Sequence, residues 1–415
     1  MNLLIKHIKG LVGVDESRRL RKLGGEMKQL RVIRNAYLYS EKGKIVSYGR
    51  MAEWTPKPVD RTIDASERFL FPTFIDSHTH LVWAGNREGE FVDRIRGLTY
   101  QQIAEKGGGI LNSAKKLHSA AEDELFEAAK IRINNLIMMG TGALEIKSGY
   151  GLSLEGEVKM LRVIKRLNNH FPIPIKATFL GAHAIPQAFQ NAREKYMDLI
   201  LNEMIPYIAE EKLADYVDVF CEKGYFSVEE TVRILEKAAV FGLKGKIHVN
   251  QFNAFGGVKA AVDHHAVSVD HLEEMNPEDF EALQGASTMP VALPGCSFFL
   301  GIPYTPAREI IDRGMGVAIA SDYNPGSAPS GNLQLAIALA CIRMKLTPEE
   351  AIHAATLNAA YALELSSRMG SISAGKDASF FITKPMPSYA YIPYAFGENH
   401  IERVFIKGLE WNSQN

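Results

Sequence analysis

Cysteine is scarce in this chain of 415 residues: Cys221, Cys296 and Cys341 are its only three, widely spread and with no C-x-x-C pair. That excludes a disulfide framework and a structural zinc ribbon, and reads the cysteines as small buried hydrophobes. Charge imbalance is missing as well. The formal net charge is -1, which gives no electrostatic reason to expect nucleic acid or an anionic membrane surface as a partner. No apolar run reaches the length of a membrane span. Near the start, Lys6, His7 and Lys9 interrupt the apolar residues of "MNLLIKHIKGLVGVDESRRL" before a signal-peptide core can form, so a cytoplasmic location is expected. Low-complexity tracts are absent, and "EKGGGI" (105–110) lacks the Gly-Lys-Ser/Thr ending of a phosphate loop. A loop that covers a site is the expectation there. The partner left by these exclusions is a small molecule.

With 46% hydrophobic and 23% charged residues the chain reads as globular, and its length exceeds one ordinary core. Three zones are visible. Residues 1–70 hold short β-rich runs joined by turn signals such as Lys42-Gly43-Lys44. Residues 71–365 alternate short apolar strands with helical segments such as "EDELFEAAKIRINNLIMMG" and "LEGEVKMLRVIKRLNNH". Residues 366–415 return to short strands. Eight strands can be counted in the middle zone, from "FPTFIDSHTH" to "GVAIASDYNPG", which predicts a (β/α)8 TIM barrel. The two outer zones are expected to meet as a small composite β-sandwich beside it.

Polar residues fall in one register along those strands. His78 and His80 close the first, His183 the third, His248 the fifth and His271 the sixth, and Asp322 ends the eighth. The C-terminal ends of barrel strands open onto one face, so these residues are expected to converge there. Residues two apart on a strand point the same way, which lets His78 and His80 share one target. With His248 and Asp322 they make an N,N,N,O donor set suited to one divalent ion, zinc or iron(II). Such an ion lowers the pKa of water towards about 7 and suits hydrolysis. His264 and His265 precede the sixth strand and fit no register; they read as surface or structural, as do His7, His118, His170, His353 and His400.

The stretches "FIDSHTHLVWAGNRE", "GGGI", "EIKSGYGLS", "LGAHAIP", "IHVNQF", "VDHLE" and "SDYNPGSAPSGN" occur in order and span nearly all of the barrel. Together they resemble the imidazolonepropionase family of the amidohydrolase superfamily. The resemblance implies hydrolysis of the ring lactam of 4-imidazolone-5-propanoate to N-formimidoyl-L-glutamate, in histidine breakdown, by a homodimer. It implies that Arg87 binds the propanoate, whose carboxylate suits a forked guanidinium, and that Tyr150 and His183 contact substrate or product. Without the resemblance Arg87 would read as a surface ion pair with Glu88 or Glu90. Asn324, Gly326 and Ser327 are expected to form a concavity for the carboxylate uncovered by ring opening.

Related deaminases carry H-x-x-E on the fifth strand, whereas this chain has His248-Val249-Asn250-Gln251. Gln251 cannot transfer a proton but can orient a ring by hydrogen bonds. The general base is then Asp322 or His271, with Asp322 expected to take the proton and His271 to stabilise the developing oxyanion or place the water. Lys147 lies on the second strand and not the fourth, so a carbamylated lysine bridging two metals is not expected. Two other readings stay open: a different cyclic amidase or an aminoheterocycle deaminase of the same superfamily, and a catalytically silent barrel that binds a metal or a carboxylate.

Overall fold

In the computed structural model, which describes residues 1–99, 102–103 and 106–412, the strands fall into two eight-stranded sheets. The first zone supplies β1 (Asn2–Val12), β2 (Val32–Glu41), β3 (Lys44–Arg50), β4 (Arg61–Asp64) and β5 (Phe69–Pro72). Lys42 and Gly43, with φ of 48° and 77°, make the tight turn between β2 and β3, the backbone geometry that suits the twist of a hairpin. A register shift in β1 between Ile5 and Ile8, with His7 at φ 53°, bends that strand. Beyond the bend it changes partner: residues 3–6 pair with β4, whereas Gly10 and Leu11 pair with β5.

The middle zone supplies β6 (Phe74–Asp76), β7 (Thr141–Lys147), β8 (Ile175–Ala182), β9 (Tyr216–Cys221), β10 (Lys244–Val249), β11 (Ser268–His271), β12 (Met289–Ala292) and β13 (Ala318–Ile319). They pair in sequence order and in parallel. Helices intervene between successive strands, and the two long predicted ones are present as Glu122–Met138 and Leu154–His170. The chain belongs to the barrel class expected.

The chain then adds β14 (Phe380–Thr383), β15 (Ile401–Ile406) and β16 (Leu409–Glu410) to the first sheet. Leu70 is the meeting point, paired with Leu11 on one side and Ile382 on the other. Leu3, Ile5, Leu38, Leu70, Phe380 and Phe405 share one buried cluster, so both chain ends are held by the same core; a fully buried Phe contributes about 2 kcal/mol.

The barrel closes just beyond its strands. β6 stops at Asp76, so His78 and His80 lie on an extended continuation and not on the strand itself. That continuation is fixed by Asp322, whose N–H donates to the His78 carbonyl at 3.0 Å, and by His80, whose N–H donates to the Tyr323 carbonyl at 2.9 Å. Asp76 accepts from the Ser321 amide at 2.9 Å and from its hydroxyl at 2.5 Å. The seam that shuts the barrel therefore sets His78 and His80 against Asp322.

Candidate metal and catalytic site

Strand ends carry most of the site. His248 lies within β10, His271 ends β11, and His183 follows β8 by one residue. His271, Leu272 and Asp322 have φ of 88°, 64° and 55°; non-glycine residues there cost about 1 kcal/mol or more each and persist only where the surroundings over-determine them. The strain falls where the strands hand over to the site.

His78 Nε2 stands 3.5 Å from Asp322 Oδ1, and His80 Nε2 stands 3.6 Å from the same oxygen. His248 Nε2 is 3.3 Å from His80 Nε2. Four donors at about 2.0 to 2.1 Å from a tetrahedral ion would be about 3.4 Å from one another. The other ring nitrogens of His78 and His248 agree with that fit. Nδ1 of His78 faces Asp270 Oδ2 at 2.6 Å and Nδ1 of His248 faces Asp218 Oδ2 at 2.8 Å, so each carries its proton on Nδ1 and leaves a lone pair on Nε2. His78 Nε2 is buried and has no hydrogen-bond partner among the described residues. Burial, reinforced by neighbouring imidazoles and by Lys147, pushes His78 and His248 well below the usual histidine range, and burial and the other imidazoles do the same to His80. Burial thus favours the neutral imidazoles, the form that can bind a cation. His78, His80 and Asp322 bring donor atoms within 4.8 Å of one another, a set that fits a divalent cation, with His248 beside His80 and His78.

Burial alone would depress His271 too, but the Glu273 carboxylate, 3.3 Å from Nδ1, outweighs that and raises it. Burial pushes Asp322 up to about 6, against the pull of His271. His183 goes down to about 4, again by burial. It donates from Nδ1 to the Gly149 carbonyl at 2.9 Å, which leaves Nε2 as an acceptor.

These residues open onto a cavity lined by His80, His183, His248, His271 and Asp322 together with Arg87, Ile110, Tyr150, Phe220, Gln251, Asn324 and Ser327. Arg87 Nε donates to Glu90 at 2.8 Å, the ion pair open to it from the sequence, but the side chain is buried and lines the cavity. Tyr150 sits in a loop held by Glu157, which accepts from the amides of Gly149, Gly151 and Leu152 at 2.8 to 3.0 Å. Gln251 donates to Cys296 Sγ at 3.4 Å.

The loop after the eighth strand departs from expectation. The amides of Gly326 and Ser327 both donate to Asn324 Oδ1 at 2.8 Å, so the Asn324 side chain, and not a ligand, fills the predicted concavity. Gly326 matters for space: a Cβ there would lie 2.1 Å from Arg87 Nη1. Of the glycine loop, residue 105 lies outside the described residues; Gly109 is tied to Glu90 by its amide at 3.2 Å.

Several site residues escaped sequence reading. Asp218 and Asp270 were legible only as single acids inside apolar strands, "YVDVF" and "VSVDH", a signal that marks a buried charge needing a partner. Glu273 stood unnoticed two residues after His271. Cys296 is buried as expected but belongs to the site wall, with its donor atom among those of His271 and Glu273. His264 is half-buried and His265 exposed, away from the site.

Comparison with known proteins shows the family. Residues 69–410 match the model of the amidohydrolase family. The imidazolonepropionase of Christiangramia forsetii is 56% identical over 408 residues, 98% of this chain and 99% of that one. That of Flavobacterium johnsoniae is 57% identical over the same length and the same shares. Among solved structures, a zinc-bound adenosine deaminase from Xanthomonas campestris superposes with a TM-score of 0.72 at 16% identity, covering 98% of this chain and 92% of that one, a likeness of fold. The chain belongs to the amidohydrolase family and, within it, to the imidazolonepropionases.

Proposed function

We propose that the chain hydrolyses the ring amide of 4-imidazolone-5-propanoate to N-formimidoyl-L-glutamate, a step of histidine breakdown. The observation that carries this is one cavity shared by the convergent donors and by a buried arginine: His80, His248 and Asp322 line it, His78 lies behind them, and Arg87 forms its wall. The relatives named imidazolonepropionase supply the substrate.

One divalent ion per chain, zinc or iron(II), would be held by His78, His80, His248 and Asp322, and when bound it lowers the pKa of water and polarises the carbonyl. Arg87 takes the propanoate through its guanidinium fork, with Glu90 fixing the guanidinium plane. Gln251 and the acceptor nitrogen of His183 hold the ring by its polar edge, and Tyr150 packs beside His80 and His183 with ring centroids 6.0 and 5.6 Å away. Asp322 removes a proton as the water oxygen bonds to the ring carbonyl carbon. His271, kept protonated by Glu273, donates to the oxygen on which charge develops. The C–N bond then breaks and the proton held at Asp322 passes to the departing nitrogen. Asn324 and Ser327 line the side where the new carboxylate forms. A cytoplasmic location and a homodimer rest on the resemblance and on the commonness of symmetric pairs.

The test is metal analysis together with an absorbance assay for loss of the imidazolone ring, with a chelator-treated control. About one equivalent of metal and chelator-sensitive ring loss are expected. Release of ammonia from amino-heterocycles instead would assign a deaminase, and a metal-bearing protein that consumes neither would be a binding barrel.

A further inference from the structure

Two lysines, Lys147 and Lys246, are fully buried among the described residues; both pair with Glu145, and they differ in their remaining partners. Lys147 Nζ lies 2.7 Å from Glu145 Oε1, 2.8 Å from Asp218 Oδ2 and 3.6 Å from Asp270 Oδ2. Those two aspartate oxygens are the very atoms that meet Nδ1 of His248 and of His78. Each is shared between one ammonium and one imidazole. Lys246 instead donates to Ser268 Oγ at 2.7 Å and to the Ala362 carbonyl at 3.2 Å, and its ion pair, at 3.5 Å, is with Glu145 Oε2.

We infer that Lys147 is a positioning residue for the metal, a single cation that fixes Asp218 and Asp270 and through them aims Nε2 of both His78 and His248 at one point. An ammonium has three N–H donors, and three carboxylates converge on this one, Asp218 and Glu145 within hydrogen-bond reach and Asp270 at 3.6 Å, where the Ser268 hydroxyl also holds it at 2.6 Å. Buried carboxylates held without a counter-charge repel one another and take other arrangements. The imidazole rings they orient would then lose their common aim. Carboxylates behind metal-binding histidines each control affinity by about 10- to 100-fold, and here one residue governs two of them. This places Lys147 behind the site as an organiser, where sequence position alone suggested only that it is no metal bridge. The inference rests on the metal site proposed above.

The experiment compares Lys147→Met with Lys246→Met in the full chain, measuring zinc affinity by chelator competition, the visible absorption spectrum of the cobalt(II)-loaded protein, and the urea midpoint. Both variants are expected to lose stability, since each strands buried polar groups. Lys147→Met is expected to weaken zinc by about 10- to 100-fold and to change the cobalt spectrum, which reports ligand geometry, and Lys246→Met, which reaches Asp270 only through the Ser268 hydroxyl, is expected to do so less. Should Lys147→Met fail to fold, Lys147→Met/Glu145→Gln, which removes one of the three clustered negative charges along with the ammonium, carries the same measurement. Unchanged affinity and spectrum in the Lys147 variant, or an equal loss in the Lys246 variant, would overturn the inference. Failure of the unsubstituted protein to bind zinc or iron would instead overturn the metal site on which it rests.

Discussion

Nε2 of His80 and Nε2 of His248 stand 3.3 Å apart, although 168 residues separate them in the chain. With the Nδ1 proton of His248 committed to Asp218, that contact brings a lone pair towards a second imidazole, an arrangement that a cation relieves. Removal of metal by a chelator is therefore expected to destabilise the protein, and zinc or iron(II) at about 1,000 times its dissociation constant to restore about 4 kcal/mol. Denaturant unfolding with and without metal measures this. A His248→Ala variant should show no such recovery; a full recovery in it would contradict the ligand assignment.

Asp322 is the only carboxylate assigned both to hold the ion and to take the proton. Asp322→Asn keeps an oxygen donor and loses the base, so turnover is expected to fall by about 100- to 10,000-fold while metal content falls only in part. Parallel metal analysis and ring-loss kinetics separate the two effects. Activity that tracks metal content alone would leave the proton transfer to His271.

Gly326 leaves room for Arg87, whose Nη1 would lie 2.1 Å from an added Cβ. Gly326→Ala must displace the guanidinium, and a weakening of KM by about tenfold or more, equivalent to about 1.4 kcal/mol, is expected. Steady-state kinetics on the propanoate substrate check this. Turnover should change less than KM, and Arg87→Lys should show the same pattern because an ammonium lacks the fork.

His353 lies far from the site, buried in the helix Pro348–Ala355 with Nε2 3.4 Å from the Gln29 carbonyl. Burial takes its pKa down from 6.5 to about 4. The unfolded chain therefore binds a proton on this ring at a higher pH than the folded one, and the stability linked to it is complete above about pH 6.5 and lost as pH falls towards 4. That loss is about 3 kcal/mol for a shift of this size. Urea midpoints of the unsubstituted chain and of His353→Gln, measured at pH 7 and at pH 4.5, should differ in their pH dependence, with the variant less acid-sensitive. Identical acid limbs in the two proteins would refute the assignment.

Much of the barrel was legible because its strands and helices announce themselves by different periods, and because His78, His80, His248, His271 and Asp322 interrupt apolar runs at equivalent ends. Arg87 was legible as one of two things, and the structure shows its ion pair with Glu90 made by a buried side chain in the cavity wall. Asn324 was expected to join its neighbours in holding a ligand, yet its side chain satisfies their amides, since an Asn two or three residues back in a turn is the nearest acceptor available. Asp218, Asp270 and Lys147 looked like isolated charges in apolar strands; nothing local names their partners.

By itself the sequence determined which segments become strands, that polar side chains gather at their C-terminal ends, and which donor types are present, because these follow from alternation, turn residues and side-chain chemistry over short distances. Only the tertiary structure decided who meets whom. Asp270 reaches His78 across 192 residues, and Asp322 meets His78 and His80 because the barrel closes on the segment carrying them. Closure is a property of the whole ring of strands, and the buried charges it encloses are tolerable only once all of their partners have arrived.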